Sequence, residues 1–85
     1  MDRFTAMTSF RRIVEARSFS AAARQLGLSA AAVTKHVQWL EDEVGVPLLH
    51  RTTRSVAPSE AGAAYYQRCV EILDDVEEAD AAARG

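Results

Sequence analysis

The chain has 85 residues, of which 48% are hydrophobic and 26% are charged, and its formal net charge is −2. This composition is typical of one small globular domain and excludes a disordered or fibrous chain. The single cysteine excludes an intrachain disulfide framework and a cysteine-rich zinc site. No apolar run reaches membrane-span length, and the polar N-terminus lacks the apolar core of a signal peptide. We therefore expect a cytoplasmic protein with no membrane partner.

Charge is distributed unevenly along the chain. Residues 1–59 carry a net charge of +3 and residues 60–85 a net charge of −5, and neither 16–40 nor 44–59 contains an Asp or Glu. Phosphates repel carboxylates, so these two acid-free stretches indicate where a polyanion could bind. The overall pI of 5.6 hides this feature, because a nucleic-acid-binding domain is usually basic as a whole.

Three amphipathic helices are predicted in the first half of the chain. The first covers residues 2–16, with apolar side chains every three or four positions: Phe4, Met7, Phe10, Ile13 and Val14. Ser18 is the predicted N-cap of a second helix, which ends at Gly27. Ser29 is the predicted N-cap of a third helix over residues 30–44.

The second half of the chain predicts a small hairpin and one long helix. Short strands over 48–50 and 55–57 flank the basic tip Arg51-Thr52-Thr53-Arg54, so residues 46–58 form a wing. Ser59 is the predicted N-cap of a fourth helix that extends to about residue 83. At 1.5 Å per residue this helix spans ~40 Å, which is too long for the small body of the domain to cover.

The second and third helices, over about 19–38, predict a helix-turn-helix. Ala22 and Ala23 are small enough for the helices to cross closely, and Gly27 accepts the backbone angles of a tight turn. The apolar residues of the third helix share one face: Val33, Val37, Leu40 and Val44. The opposite face is small, polar and basic and could present hydrogen-bonding groups to base edges in a major groove: Ala31, Thr34, Lys35 and Gln38. A solvated face of a helical bundle would have the same composition, so this face of the third helix is either a DNA-reading surface or a solvated surface.

The wing and the start of the second helix add further candidate contacts. Arg51-Thr52-Thr53-Arg54 carries two guanidinium groups for a narrow minor groove or for phosphate, and two hydroxyls for phosphate. Arg51 has an alternative role, bracing the wing by pairing with Glu41 or Glu43. Ser18 and Ser20 lie where the free amides of a helix N-terminus favour a phosphate, although simple capping would also explain them.

An ordered set of residues covers nearly the whole chain: Phe10, Ser18-Phe19-Ser20-Ala21-Ala22-Ala23, Leu26, Leu28-Ser29, Val33-Thr34, Val37, Leu40-Glu41, Gly45-Val46, Leu48-Leu49, Arg51-Thr52-Thr53-Arg54 and Ser59-Glu60-Ala61-Gly62. This combination resembles the N-terminal DNA-binding domain of a LysR-type transcriptional regulator. The resemblance implies a mainly α winged helix-turn-helix, with a three-helix core and a two-stranded wing over residues 1–58. A linker and dimerisation helix over residues 59–85 would follow.

The same resemblance implies partners and a missing domain. It implies a homodimer through the C-terminal helix, with a higher oligomer at full length, bound to double-stranded DNA carrying an interrupted inverted repeat. It also implies that an effector-binding domain normally follows, which is absent from this sequence. The family's recognition positions correspond to Ala30, Ala31, Thr34, Lys35 and Arg54.

Three positions depart from the common pattern of the family. Gln-Pro is frequent where this chain has Ala30-Ala31, so any base contact there should be weaker or purely apolar, as against a thymine methyl. Arginine is common where Lys35 stands, and lysine lacks the bidentate fork. Glycine commonly occupies the position of Arg17, so arginine there either strains the turn after the first helix or adds a phosphate contact.

The fourth helix carries an apolar stripe that its own chain is too small to cover at the far end. We therefore expect a dimer interface there, formed by Tyr66, Cys69, Val70, Leu73 and Val76, with the acidic flank facing solvent. Cys69 is expected to act through packing rather than as a redox sensor, because no basic cluster lowers its pKa.

The remaining candidates indicate neither a metal site nor an enzyme. His36 and His50 have no Cys or carboxylate at ligand spacing, and His36 is expected to be structural at the edge of the core. Trp39 is expected to half-pack against a neighbouring element. No nucleophile–base pair or carboxylate pair is present, so we expect no catalysis and no cofactor. The rival from another class is a helical protein-interaction or dimerisation domain without DNA binding.

Overall fold

A computed structural model describes residues 1–52 and 55–85. The elements follow in chain order: α1 (Arg3–Ala16), α2 (Phe19–Leu26), α3 (Ala30–Val44), β1 (Leu49–Arg51), β2 (Val56–Pro58) and α4 (Glu60–Arg84). The predicted architecture of three helices, a two-stranded antiparallel wing and a long fourth helix is confirmed. Both strands lie one residue later than predicted, in a register that pairs Leu49 with Pro58 and Arg51 with Val56.

Polar side chains begin all four helices, as the sequence predicts for three of them. The caps accept a hydrogen bond from the backbone N–H three residues on: Asp2 from Thr5, Ser18 from Ala21, Ser29 from Ala32 and Ser59 from Gly62. These bonds satisfy amides that have no partner within the helix. Gly27 ends α2 in the left-handed conformation (φ 68°), which sets the tight turn before α3.

The core lies where α1 crosses the other helices, and α1 contacts α2, α3 and α4. Its largest fully buried side chains come from α1, α3 and the segment before β1: Phe10, Ile13, Val33, Val37, Leu40 and Leu48. Phe4 differs from the other apolar residues at this spacing in α1, because it is 48% exposed. At 100° per residue Phe4 lies about 120° around the helix from Phe10, so it is off the buried face.

The motif Ser59-Glu60-Ala61-Gly62 forms the joint between the wing and α4. The Ser59 hydroxyl donates to the Pro47 carbonyl at 2.9 Å and accepts from the Gly62 amide at 2.9 Å. The Ser59 amide donates to the Leu48 carbonyl, also at 2.9 Å. A methyl group added at Gly62 would overlap that same Leu48 carbonyl oxygen. Only a glycine therefore lets α4 pass this close to the backbone before β1.

Polar contacts join α1 to the middle of α4. The Arg11 guanidinium contacts Asp74 at 3.1 Å and Glu15 at 3.1 Å, and the Tyr66 hydroxyl donates to Glu15 at 2.7 Å. Partial burial would raise the pKa of Glu15, but the Tyr66 hydrogen bond and the Arg11 charge outweigh it and lower that pKa. This network sets the direction in which α4 leaves the body.

The stripe on α4 divides between the core and the surface. Cys69 is fully buried in its own chain, so its predicted packing role is confirmed and its predicted place in a dimer interface is wrong. Burial raises the pKa of its thiol to about 11, which keeps it protonated. Tyr66 and Leu73 are partly buried against the core and Val70 is half-buried. Val76 is 39% exposed, and every residue from Asp75 to Gly85 is exposed.

Candidate nucleic-acid interface

The two faces of α3 differ sharply in exposure. Val33, Val37 and Leu40 are fully buried, which confirms the prediction that this stripe turns inward. The opposite face is open to solvent at the predicted recognition positions: Ala30, Ala31, Lys35 and Gln38 are exposed, and Thr34 is half-buried at the edge of this face. The outer face of α3 is thus available to a large ligand along its first three turns.

The start of α3 has few free hydrogen-bond donors in its side chains. The Thr34 hydroxyl donates to the Ala30 carbonyl at 2.8 Å, and the Ser29 hydroxyl accepts the capping bond from the Ala32 amide. Ala30 and Ala31 offer only methyl groups. Within the helix, the free side-chain donors of this face therefore begin with the ammonium of Lys35, followed by the amide of Gln38, while the capping Ser29 hydroxyl keeps its proton.

The start of α2 lies beside α3 and the wing. Ser18 caps α2, and its hydroxyl is 3.1 Å from the hydroxyl of Ser20. Arg17 precedes them in the left-handed conformation (φ 55°), and it is the one non-glycine residue in 1–52 and 55–85 with a positive φ. The position at which the family commonly has glycine is therefore one where a side chain is strained.

An open groove brings several of the predicted residues together at one end of the molecule. Its lining combines the start of α2, the start of α3 and the wing: Arg17, Ser18, Phe19, Ser20, Ala30, Thr52, Ser55 and Val56. Ser18, Ser20, Ala30 and Thr52 were all predicted DNA contacts. Ser55 was not among them, because the predicted strand register placed it within the second strand. Arg17 was distinguished only by its departure from the family pattern.

Arg51 packs against the helix-turn-helix instead of pairing with an acid. Its guanidinium carbon lies 4.9 Å from the centroid of the Phe19 ring, which is cation–π distance. The alternative pairing with Glu41 is wrong, because the Glu41 carboxylate accepts from the Leu48 amide at 2.7 Å and the Leu49 amide at 3.3 Å. Arg51 remains exposed, so it both connects the wing to α2 and faces solvent.

Thr52 closes the turn of the wing. Its hydroxyl donates to the Ser55 carbonyl at 3.1 Å and accepts from the Ser55 amide at 3.0 Å. The predicted donation from this hydroxyl to a phosphate therefore competes with a bond within the hairpin. Thr53 and Arg54, the other predicted contacts of the wing tip, lie outside the described residues.

Acidic groups lie away from this end of the molecule. Glu41 is directed at the backbone before and within β1, while Asp42 and Glu43 are exposed at the end of α3. The remaining carboxylates are concentrated on α4. The arrangement leaves a surface without carboxylates around the start of α2, residues 30–38 of α3 and the described part of the wing, where a polyanion would meet little repulsion.

Other candidates are accounted for by packing. The Nδ1 atom of His36 lies 2.7 Å from the Ser9 hydroxyl, which confirms its structural role. Trp39 is half-buried against the core, as predicted, and the Arg3 guanidinium carbon lies 5.8 Å from its ring. In the part of the chain that the structure describes, no cluster of three metal-ligating side chains occurs. None of its helices has the length and hydropathy needed to cross a bilayer.

Comparison with known proteins places this geometry in a family. The family model "Bacterial regulatory helix-turn-helix protein, lysR family" matches residues 4–63. The HTH-type transcriptional activator AaeR of Escherichia coli is 46% identical over 92% of this chain and 25% of its own length. The HTH-type transcriptional repressor PA14_22550 of Pseudomonas aeruginosa is 44% identical over 100% of this chain and 27% of its own length.

A solved structure shares the fold over almost its whole length. The crystal structure of a CbnR_DBD-DNA complex superposes with a TM-score of 0.91 at 31% identity, over 99% of this chain and 95% of that one. This chain spans about a quarter of the length of the curated relatives it matches. The motifs, the winged helix-turn-helix and the family model agree, and the chain belongs to the lysR family of bacterial regulatory helix-turn-helix proteins.

Proposed function

We propose that this chain binds double-stranded DNA in a sequence-specific manner as the DNA-binding domain of a transcription regulator. The observation that carries the proposal is the outer face of α3 over residues 30–38, which is free of acids, largely exposed and opposite a fully buried stripe. CbnR_DBD, which shares this fold, was crystallised in a complex with DNA, which supports DNA as the ligand of this chain. In this arrangement α3 enters the major groove and the wing approaches the adjacent minor groove.

The residues divide into base-reading and backbone-contacting groups. Lys35 and Gln38 supply the hydrogen-bond donors that reach base edges from the middle of the outer face, and Thr34 lies beside them. Ser18, Ser20 and Arg17 lie at the start of α2, where free amides and positive charge suit a phosphate. Four wing residues contact the DNA backbone or the minor groove: Arg51, Thr52, Thr53 and Arg54.

We further propose that two copies associate through α4. Ile72 and Val76 lie one turn apart on the same face of this helix and are 38% and 39% exposed, and Val70 is half-buried on the other flank of the stripe. Tyr66 and Leu73, which are partly buried, would lie at the edge of this interface. Pairing would set two recognition helices in successive major grooves about 34 Å apart, which matches an interrupted inverted repeat.

The same proposal assigns a role to each part of the chain and to the whole protein. Residues 1–58 act as the DNA-binding domain and residues 59–85 as the linker and dimerisation helix. The whole protein would act in the cytoplasm without catalysis of its own, and would add an effector-binding domain and higher assembly. The alternative, a helical interaction domain without DNA binding, leaves the acid-free stretch of α3 over residues 30–38 unexplained.

Selection from a random DNA pool tests this proposal. We expect enrichment of a two-part sequence, which wild type binds at least 10³-fold more tightly than a scrambled duplex. Lys35→Ala should weaken binding to the enriched duplex by about tenfold to a hundredfold and to scrambled DNA by much less. Arg54→Ala should weaken both more evenly, as expected for loss of a backbone contact.

A matched control separates the recognition face from general charge. Arg68, which is exposed on α4 and paired with Glu71 at 2.9 Å, lies on the acidic helix. Arg68→Ala removes the same charge as Lys35→Ala and should leave discrimination between the two duplexes unchanged. Equal binding of wild type to enriched and scrambled duplexes would exclude sequence-specific recognition. Absence of binding to either duplex at low salt would favour the interaction-domain alternative.

A further inference from the structure

Helix α1 connects the helix that faces the duplex with the helix proposed to pair two copies, because it packs against both α3 and α4. The N-terminal end of α4 is held at the joint, where Gly62 passes close to the Leu48 backbone. Beyond the joint, the Tyr65 ring lies 5.8 Å from the Phe10 ring of α1, and Cys69 is fully buried. The angle between α1 and α4 therefore determines where the far end of α4 lies relative to α3.

Apolar packing by itself does not define this angle closely. The hydrophobic effect is non-directional, and packed helices adopt crossing angles that scatter by about 15–20°. From Gly62 to Val76 the helix rises about 21 Å at 1.5 Å per residue. A swing of about 10° around Gly62 then moves Val76 by about 4 Å, which is close to the rise of one base pair, ~3.4 Å. Packing alone would therefore let the separation of two recognition helices vary by more than one base pair.

Directional contacts on one flank of α4 restrict this swing. The Arg11 guanidinium lies 3.1 Å from the Asp74 carboxylate, and the Arg11 side chain is only 23% exposed. Glu15 holds the same guanidinium at 3.1 Å and accepts a hydrogen bond from the Tyr66 hydroxyl at 2.7 Å. Hydrogen bonds require both a short distance and a favourable direction, so these atoms meet only over a narrow range of helix angles.

We propose that the contact between Arg11 and Asp74 sets the spacing of the two half-sites that a dimer of this chain recognises. The pair is intact in the free chain, and it stays intact on a duplex whose half-sites match the angle that it fixes. On a duplex with a longer or shorter spacer, α4 has to swing and the pair breaks. Arg11 and Asp74 are thus positioning residues that touch neither base nor phosphate. This inference rests on the proposed DNA binding and on the proposed pairing through α4.

Duplexes that differ only in spacer length test the inference. The enriched duplex is compared with versions whose spacer is one or two base pairs shorter or longer. We expect Asp74→Ala to bind the enriched duplex within about twofold of wild type, because the pair is not broken there. It should bind the shifted duplexes about fivefold more tightly than wild type does, because no ion pair has to break in either copy. Improved binding is a result that a partly unfolded variant could not give.

Two further variants separate the contact from the charge that is removed. At 100° per residue Glu78 lies about 180° around α4 from Cys69, and it is exposed. Glu78→Ala removes one negative charge from the same helix and should keep the spacer preference of wild type. Arg11→Met keeps the length of the side chain without its charge. In that background Asp74→Ala should change the spacer preference by less than about 1.5-fold, because the pair is already lost.

Equal spacer preference in Asp74→Ala and wild type overturns this inference alone, and so does an equal gain in Asp74→Ala and Glu78→Ala. If wild type binds enriched DNA without any spacer preference, both the pairing through α4 and this inference are overturned, while the proposed DNA binding stands. Failure to enrich any sequence overturns the proposed function and the inference with it.

Discussion

Helices α3 and α4 carry apolar residues at the same helical spacing, but their own chain covers them to different extents. The stripe of α3 is fully buried at three successive positions, so its outer face is fixed by the packing of one protomer. The stripe of α4 is buried at Cys69 and partly buried at Leu73, and it is exposed at Val76. Hydrophobic periodicity thus identifies which face of a helix is apolar, whereas the size of the neighbouring body decides what covers it.

Replacing valine by aspartate should disrupt folding when it is made on the α3 stripe and self-association when it is made on the α4 stripe. This is the largest expected effect. Val37→Asp places an unpaired charge in the core and should lower the free energy of unfolding by about 4 kcal/mol or more at any protein concentration. Val76→Asp should change the unfolding of the monomer by less than about 0.5 kcal/mol. It should also weaken self-association at least tenfold, because a charge replaces an interface contact.

Urea titration and sedimentation equilibrium distinguish these outcomes. If Val76→Asp unfolded the chain as readily as Val37→Asp, the far stripe of α4 would be covered by its own protomer. If self-association were the same in Val76→Asp and wild type, the proposed interface would be excluded.

The joint between the wing and α4 should show the next largest effect. Gly62→Ala brings a methyl into the Leu48 backbone carbonyl, which cannot move aside as a side chain can, so we expect a loss of about 3 kcal/mol in unfolding free energy. Ala61→Ser, at the exposed neighbouring position, should cost less than about 0.5 kcal/mol. Equal stability of Gly62→Ala and wild type in urea would contradict the close approach at this joint.

Substitutions of Arg17 separate the effect of backbone strain on stability from the effect of charge on DNA binding. Arg17→Gly relieves the left-handed conformation and should stabilise the fold by about 0.5–1 kcal/mol. The same variant should reduce the slope of log affinity against log salt by about 1, because one phosphate contact is lost. Arg17→Lys keeps both strain and charge and should match wild type in thermal unfolding and in salt slope. Loss of the salt effect in Arg17→Lys as well would argue against a simple charge contact.

The smallest expected effect concerns the network between α1 and α4. The folded-state pKa of Glu15 is below its ordinary value of 4.5, so this group stabilises the fold above pH ~5 and loses that contribution as the pH falls below 4.5. Because the side chain is partly exposed, the contribution should be less than about 1 kcal/mol. In acid titration of stability, Glu15→Gln should lack this component. If Glu15→Gln and wild type had the same dependence of stability on pH, the ionised Glu15 carboxylate would not contribute to the stability of the fold.

Local signals in the sequence were sufficient to predict most of the fold. Serine caps, the glycine at the α2–α3 turn and helical spacing depend on neighbours within a few residues, and they located α2 and α3 and their inward stripe. The strands were predicted one residue early, because their register depends on bonds from Glu41 and Ser59 that reach across the chain. No local pattern encodes those contacts.

The candidate site was predictable by residue type but not by side-chain partner. The exposed positions of α3 followed from its periodicity alone. The pairing of Arg51 with Phe19 and the closure of the turn by Thr52 depend on how the wing packs on α2, which the sequence does not specify. Cys69 was assigned to two roles at once, since a stripe on a helix does not show which of its residues face their own core.

The most direct test of the central claim is amide NMR of the labelled chain during titration with the enriched duplex. We expect the largest shift changes at the start of α2, along residues 30–38 of α3 and in the wing. Residues 75–85 of α4 should change little. Shift changes concentrated on α4, with residues 30–38 unaffected at saturating DNA, would contradict the proposal that the outer face of α3 reads the duplex.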